Sequence, residues 1–127
     1  MLPAVLRWTL LCAASSLALA ACGPEIGDEC TESLDCATDG SRLCDRTQPE
    51  GYCLIPNCHG DECPEESVCV RFGLDAQART FCMQSCEDGG DCRDSYRCAA
   101  PDPTDDVPTE IVDTVPEGDR FCVERQD

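Results

Sequence analysis

The sequence has no lysine and a single histidine, His59, among its 127 residues. Large apolar residues are scarce as well, since leucine, isoleucine, valine and phenylalanine supply only 16 of the 106 residues from Cys22 onward. Nucleic-acid binding needs clustered lysine and arginine to neutralise phosphates, so the shortage of basic residues argues against that class of partner. A chain with so few apolar residues must also draw stability from something other than a large hydrophobic core.

Acidic residues and cysteines are abundant by contrast. The 26 aspartates and glutamates give the chain a formal net charge of −17, and there are 14 cysteines. High net charge with little apolar content is typical of disordered chains, whereas this density of cysteine is typical of a disulfide scaffold. A disulfide that closes a loop of about 15 residues stabilises the folded state by roughly 3 kcal/mol in the chain-entropy model. We therefore predict that disulfides formed in an oxidising compartment replace much of the core.

Residues 1–21 have the composition of an export signal. Arg7 is the only charged residue in this segment, and residues 8–21 are all apolar or small. A membrane-spanning helix needs about 20 apolar residues, so this run is too short for one. Its length and small-residue end fit a signal peptide.

The end of that segment, Leu19-Ala20-Ala21-Cys22, resembles the lipobox of bacterial lipoproteins. The resemblance implies cleavage before Cys22, a lipid on its thiol and attachment to a membrane. Ordinary signal-peptide cleavage after Ala20 is the alternative, because Ala18 and Ala20 are correctly spaced small residues. That cleavage leaves 13 cysteines, an odd number, whereas lipidation of Cys22 leaves 12 that can all pair. Gly23, rather than aspartate, follows Cys22, which by the same resemblance favours the outer membrane of the cell envelope.

From Cys30 onward the cysteines fall into three groups of four with similar neighbours. In every group an acidic residue precedes the second cysteine, an aromatic residue precedes the fourth, and an apolar residue follows the fourth. We interpret this as an internal repeat after a lipidated N-terminus and tether at residues 22–29. The three units span residues 30–57, 58–85 and 86–127, and their fourth cysteines lie in Tyr52-Cys53-Leu54, Phe81-Cys82-Met83 and Phe121-Cys122-Val123.

The predicted fold is small and disulfide-rich, with three tandem four-cysteine units. Each unit is expected to be a short β-hairpin plus irregular loops, with little helix outside the signal peptide. In the second unit, β-prone residues 68–72 and 80–83 flank a turn-compatible segment. The third unit contains a long acidic, proline-rich loop, residues 99–121, which we interpret as a mobile insertion. The alternatives are that this loop binds a partner or that residues 109–115, which alternate in polarity, form a strand.

Four cysteines within one unit allow three pairings. We prefer the pairing of first with third and second with fourth, because it links both hairpin strands to the preceding loop. The pairs expected on this basis are Cys30–Cys44, Cys36–Cys53, Cys58–Cys69, Cys63–Cys82, Cys86–Cys98 and Cys92–Cys122.

The repeat resembles those of bacterial secreted cysteine-rich proteins and, more distantly, EGF-like and Dickkopf N-terminal modules. The resemblance covers residues 30–125 and implies an extracellular interaction or spacer module. One histidine, no lysine and cysteines committed to disulfides leave no nucleophile–base pair, so we expect a non-enzymatic protein without a cofactor. The predicted role is a lipid-anchored interaction or structural module with an unidentified protein or surface partner.

Two other functions have candidate residues. Asp88, Asp91 and Asp94 gather carboxylates around two glycines, as hard oxygen-ligand sites for calcium do, although the EF-hand spacing is absent. Arg79 lies in the turn of the second unit, where a small protease inhibitor would carry its reactive loop. Structural zinc is disfavoured because no Cys-x-x-Cys pair occurs.

Overall fold

The computed structural model describes residues 23–113 and 118–126, so the predicted signal peptide and Cys22 lie outside the described residues. Helix in these ranges is limited to three single 3₁₀ turns, at Ser33–Asp35, Gly60–Glu62 and Gly89–Asp91. The predicted small, disulfide-rich fold with antiparallel strands and almost no helix is confirmed. The strands are β1 (Leu43–Asp45), β2 (Tyr52–Pro56), β3 (Ser67–Phe72), β4 (Arg79–Gln84), β5 (Tyr96–Ala99), β6 (Thr109–Ile111) and β7 (Phe121–Glu124).

Two antiparallel sheets organise these strands. Five strands form one sheet in the order β1-β2-β4-β3-β6, and β5 pairs with β7 in the second. Three of the strand pairs, β1 with β2, β3 with β4 and β5 with β7, place a third and a fourth cysteine directly opposite each other. These opposed cysteines are Cys44 and Cys53, Cys69 and Cys82, and Cys98 and Cys122.

The opposed cysteines are not bonded to each other. Each is bonded instead to a cysteine of the preceding loop, and every bonded pair has Cα atoms 5.4–6.0 Å apart. The disulfides therefore tie each loop across both strands of the hairpin that follows it, in the pairing order that the sequence analysis prefers. They are Cys30–Cys44, Cys36–Cys53, Cys58–Cys69, Cys63–Cys82, Cys86–Cys98 and Cys92–Cys122.

One hydrophobic core is shared by all three hairpins. Burial of one such side chain stabilises a fold by about 1.5–3 kcal/mol, so a core of this size contributes substantially although it is small. Because residues of every hairpin contribute, no hairpin buries its apolar face alone. The core comprises Ile26, Tyr52, Leu54, Val68, Val70, Met83, Cys86, Tyr96, Phe121 and Cys122.

The Tyr52 hydroxyl joins the three hairpins at the centre of this core. It donates a hydrogen bond to the Cys122 carbonyl at 3.2 Å and accepts one from the Gln84 backbone N–H at 2.9 Å. Burial raises the pKa of Tyr52 well above its usual range, because the charged phenolate would lose its hydration. The hydroxyl therefore stays protonated and keeps both hydrogen bonds even in alkaline solution, where an exposed tyrosine ionises.

Arg93 makes a second connection between the first and third hairpins. Its Nε donates to the Gly27 carbonyl at 2.9 Å, and its Nη2 donates to the Gly51 carbonyl at 2.5 Å. The guanidinium lies 4.6 Å from the centre of the Tyr96 ring, within the range of a cation–π contact. The Glu50 carboxylate lies 3.8 Å from Nη1. Arg93 thus bridges segments that are far apart in the chain.

The interpretation of residues 22–29 as a tether is wrong for Ile26 to Asp28. Ile26 is only 1% exposed and belongs to the shared core. The Gly27 N–H donates to the Cys53 carbonyl, and the Cys53 N–H donates to the Asp28 carbonyl, at 2.8 and 3.0 Å. A single isoleucine in a polar segment was the signal for this docking, since burying it gains free energy that a free tether forgoes.

The interpretation of residues 99–121 as a mobile insertion is also wrong where β6 forms. Strand β6 pairs with β3 through Val70 opposite Ile111 and two further residue pairs, so the strand alternative holds for Thr109–Ile111. The physical reason lies in β3, whose backbone groups would otherwise form an unpaired sheet edge. Beyond β6 the Val112 N–H donates to the Cys69 carbonyl at 2.9 Å. Residues 114–117 lie outside the described ranges.

Candidate functional site

A cavity of about 320 Å³ is lined by residues of both sheets and of the loop that leads from β5 to β6. Its volume lies at the lower end of the range of about 300–1,000 Å³ that is typical of ligand pockets. We call it the apolar cleft, after the side chains that make up most of its lining. These are Tyr52, Leu54, Phe72, Phe81, Met83, Ala99, Ala100, Val107, Phe121 and Val123.

The repeated aromatic-Cys-apolar motif builds this cleft. Successive side chains of a strand point to opposite faces, so the two neighbours of a fourth cysteine share the face away from its disulfide. All six neighbours line the cleft, while Cys53 and Cys82 belong to separate disulfide clusters and Cys122 belongs to the shared core. Three copies of one sequence motif therefore converge on one cavity. They are Tyr52 with Leu54, Phe81 with Met83, and Phe121 with Val123.

Aromatic contacts fix the walls of the cleft. The Phe72 ring lies 6.0 Å from the Phe81 ring and 6.2 Å from the Phe121 ring, the latter in an edge-to-face arrangement. Edge-to-face geometry is one of the favoured arrangements of aromatic pairs. Since these rings come from both sheets, the cavity is held open by packed side chains.

In the loop between β5 and β6, hydrogen bonds join the two ends of residues 102–109 to each other and also join this segment to Gly73. The Thr109 N–H donates to the Asp102 carbonyl, and the Asp102 N–H donates to the Thr109 hydroxyl, both at 2.9 Å. The Gly73 N–H donates to the Pro108 carbonyl at 2.8 Å. Val107 lies within this segment and is 55% exposed although it lines the cleft. The loop thus presents an apolar side chain at the mouth of the cavity.

Half of the polar residues in the lining are acidic. Four carboxylates line the cavity together with one cation, Arg97. Hydrogen bonds from the Thr104 hydroxyl and N–H lower the pKa of one of them, Asp102, below its usual range. None of the ion pairs within residues 23–113 and 118–126 involves these four carboxylates. The four acidic residues are Asp45, Asp102, Asp105 and Glu124.

This lining is suited to binding. It offers preformed apolar contact area and fixed negative charge, while the buried Tyr52 hydroxyl is already engaged by two backbone groups.

Comparison with known proteins gives no match to any family model, curated protein or solved structure. Across the part of the chain that the structure describes, no helix is long and apolar enough to cross a membrane.

The calcium candidates do not converge. Among the described residues, the carboxylates of Asp88, Asp91 and Asp94 form no group with ligand atoms within 4.8 Å of one another. Asp88 instead accepts a hydrogen bond from the Gly90 N–H at 2.8 Å, and Asp91 accepts from the N–H groups of Glu87 and Asp88. The acids therefore cap a 3₁₀ turn.

The acid before the second cysteine has this capping role in the loop before each hairpin, a role that we did not predict from the sequence. Asp35 accepts from the Thr31 and Glu32 N–H groups, and Glu62 accepts from the His59 N–H at 3.1 Å. These turns have the reciprocal side-chain pattern of a capping box. The acid lies three residues after the N-cap residue in each turn, and this spacing in the sequence could have predicted the capping role. The repeated acid is thus a structural feature of the loop.

Arg79 also differs from its predicted placement. It is the first residue of β4 and lies opposite Phe72 on β3, so it is an exposed strand residue next to the turn and not at its tip.

The close groups of sulfur atoms, such as those of Cys30, Cys36 and Cys44, include cysteines already bonded in disulfides. A disulfide sulfur is not a thiolate, so these groups are not metal sites.

The capping acids predict a loss of stability at low pH. Backbone N–H donors lower the pKa of Asp91 below its usual value of about 4. Between the lowered and the usual pKa the unfolded chain binds more protons, so this stabilisation is present above about pH 4 and is lost as the pH falls. We expect Asp91→Asn to lower the melting temperature at pH 7, with a difference from wild type that shrinks towards pH 2.

The matched control is Asp94→Asn, which removes an exposed carboxylate from the same loop. Its difference from wild type is expected to stay small and nearly constant over the same pH series. Thermal unfolding followed by circular dichroism under non-reducing conditions provides both curves. An Asp91→Asn difference that does not change between pH 7 and pH 2 contradicts a capping carboxylate.

Proposed function

We propose that this chain is a lipid-anchored protein of the bacterial cell envelope that acts as a non-enzymatic interaction module. The proposal includes its organisation as three repeated four-cysteine units. The observation that carries the interaction role is the apolar cleft, because the aromatic and apolar residues that recur beside each fourth cysteine line it. A purely structural spacer has no need for an open apolar cavity at the meeting point of its units.

The repeat interpretation is supported by four features that recur in each group of cysteines. Each group has the same bonding order, an antiparallel pair with its third and fourth cysteines opposed, a capped 3₁₀ turn, and two cleft residues around its fourth cysteine. The shared core indicates that the units would act together and not as separate modules. One cleft built by three units is the functional consequence.

The lipid anchor is supported by cysteine pairing. All twelve cysteines from Cys30 to Cys122 are bonded to one another, so none of them is available to Cys22. A lipid on Cys22 accounts for that thiol, and export accounts for an oxidising compartment. Because Ile26 is docked in the core, only residues 23–25 would separate the folded part from the lipid. The module would therefore sit close to the membrane surface.

The anchor is tested by Cys22→Ser in a bacterial host that processes lipoproteins. We expect the wild-type chain to be recovered in the membrane fraction with the mass of an acylated N-terminus, and Cys22→Ser to lose that mass and leave the membrane. Labelling with a radioactive fatty acid gives an independent readout. Cys12→Ser is the matched control, since that cysteine lies within the predicted signal peptide. Equal membrane recovery and equal mass of wild type and Cys22→Ser would exclude the anchor.

A further inference from the structure

The apolar cleft combines two kinds of surface whose chemistry specifies an occupant. We infer that it binds a basic peptide segment of a partner protein, through one apolar side chain flanked by cationic residues. This inference rests on the proposed interaction role and adds the chemistry of the partner to it. It draws on the size of the cavity, its apolar walls and the charge around it.

The size and apolar walls of the cavity determine which side chain of the partner would enter it. The cavity of about 320 Å³ is small for a large cofactor and suits one large side chain with its neighbours. Its walls include the Phe72, Phe81 and Phe121 rings, which pack against one another. An aromatic or long aliphatic side chain is the group that gains most from such walls, and interface anchors are commonly of this type.

The acidic residues of the lining determine which residues of the bound peptide would flank its apolar anchor. The four lining carboxylates come from three different elements: Asp45 from β1, Asp102 and Asp105 from the loop after β5, and Glu124 from β7. No ion pair within the described ranges neutralises them. A ligand with one charge pairs with only part of this set, whereas a peptide with cations on both sides of its anchor pairs with more of it. The chain's net charge of −17 also attracts a basic partner from a distance.

Blocked tripeptides test the inference directly. The protein is the oxidised Cys22→Ser chain, and the probes are Arg-Phe-Arg, Arg-Ala-Arg and Glu-Phe-Glu with capped termini, titrated by NMR. We expect saturable shifts at the cleft for Arg-Phe-Arg and affinities at least about tenfold lower for the other two, a difference that NMR titration resolves. Raising the ionic strength to about 0.5 M should weaken Arg-Phe-Arg several-fold, because the rim charges are exposed and screened.

Variants separate cleft binding from general attraction to an acidic protein. Asp105→Asn with Glu124→Gln removes two lining carboxylates, and Glu87→Gln with Asp94→Asn removes two exposed carboxylates elsewhere with the same change in net charge. We expect about fivefold or greater weakening from the first pair and less than about twofold from the second. Equal weakening by both pairs overturns the cleft assignment. Equal affinity for Arg-Phe-Arg and Glu-Phe-Glu overturns the basic chemistry and indicates an apolar ligand instead.

Crosslinking in intact cells distinguishes this inference from the proposed function beneath it. One variant carries a photo-crosslinking residue in place of Val107, which is 55% exposed and lies at the mouth of the cleft. The control variant carries it in place of Leu34, which is 61% exposed and does not line the cleft. A protein adduct from Val107 alone that contains a basic segment with an apolar anchor supports both proposals. An adduct without such a segment overturns the basic-peptide chemistry but leaves the interaction module standing. The lack of an adduct and of tripeptide binding contradicts both.

Discussion

Reduction of the disulfides with a phosphine at neutral pH is expected to unfold the protein at room temperature. The six bonded pairs are separated by 11 to 30 residues in the chain. In the chain-entropy model each such bond stabilises the folded state by roughly 3 kcal/mol. A domain has a net stability of only about 5–15 kcal/mol, so the loss of all six disulfides exceeds the whole of that stability.

Circular dichroism and limited trypsin digestion follow the expected unfolding. The eight arginines from Arg42 to Arg125 provide cleavage sites throughout the folded region. We expect rapid digestion after reduction and thiol alkylation, and resistance in the oxidised protein treated with the spent reagent. An unchanged spectrum together with unchanged trypsin resistance after complete alkylation would show that the core alone is sufficient.

The covalent framework was the part of the fold most accessible to sequence reasoning. Cysteines cluster in fours with loops of limited length, and turn residues separate β-prone runs, so hairpins follow from short-range information and only three pairings remain for each unit, one of which the sequence analysis prefers. The order of bonding in the first hairpin, Cys30 with Cys44 and Cys36 with Cys53, is an example. Both bonds join residues fewer than 20 positions apart.

The packing between hairpins was much less accessible. Ile26 belongs to a core whose other residues, Tyr52 to Cys122, follow it by 26 to 96 positions, and β6 joins a sheet whose other strands come from earlier parts of the chain. Neither contact has a local pattern, because each depends on which apolar face or sheet edge is left uncovered after the hairpins form. The cleft has the same origin. Its residues were visible as a repeated motif, but the face that they share becomes evident only when the strands are paired.

The largest effect of a single non-cysteine substitution is expected at Tyr52. Tyr52→Ala removes a ring that lies 5.3 Å from the Tyr96 ring and is only 1% exposed. The loss of that packing and the cavity left behind cost about 3–5 kcal/mol in cores of other proteins. The two backbone groups bonded to its hydroxyl also lose their partner. Denaturant unfolding under non-reducing conditions measures the change in the free energy of unfolding.

Tyr52→Phe separates the hydroxyl from the ring. The ring stays in the core, but the Gln84 N–H and the Cys122 carbonyl lose the group that links them. Leaving buried polar groups without a partner costs about 1–3 kcal/mol, so we expect Tyr52→Phe to lie between wild type and Tyr52→Ala.

Tyr96→Phe is the matched control for the Tyr52 hydroxyl. The Tyr96 hydroxyl donates to one carbonyl, that of Pro49, at 2.8 Å, and Tyr96 is as buried as Tyr52, at 1% exposure. Tyr96→Phe leaves one backbone group without its partner, whereas Tyr52→Phe leaves two, so the expected loss of stability is smaller than for Tyr52→Phe. If Tyr52→Phe matches wild type while Tyr52→Ala is strongly destabilised, Tyr52 contributes through the packing of its ring and not through its hydroxyl. A loss in Tyr52→Phe that exceeds the loss in Tyr96→Phe assigns the junction of the three hairpins to one buried hydroxyl.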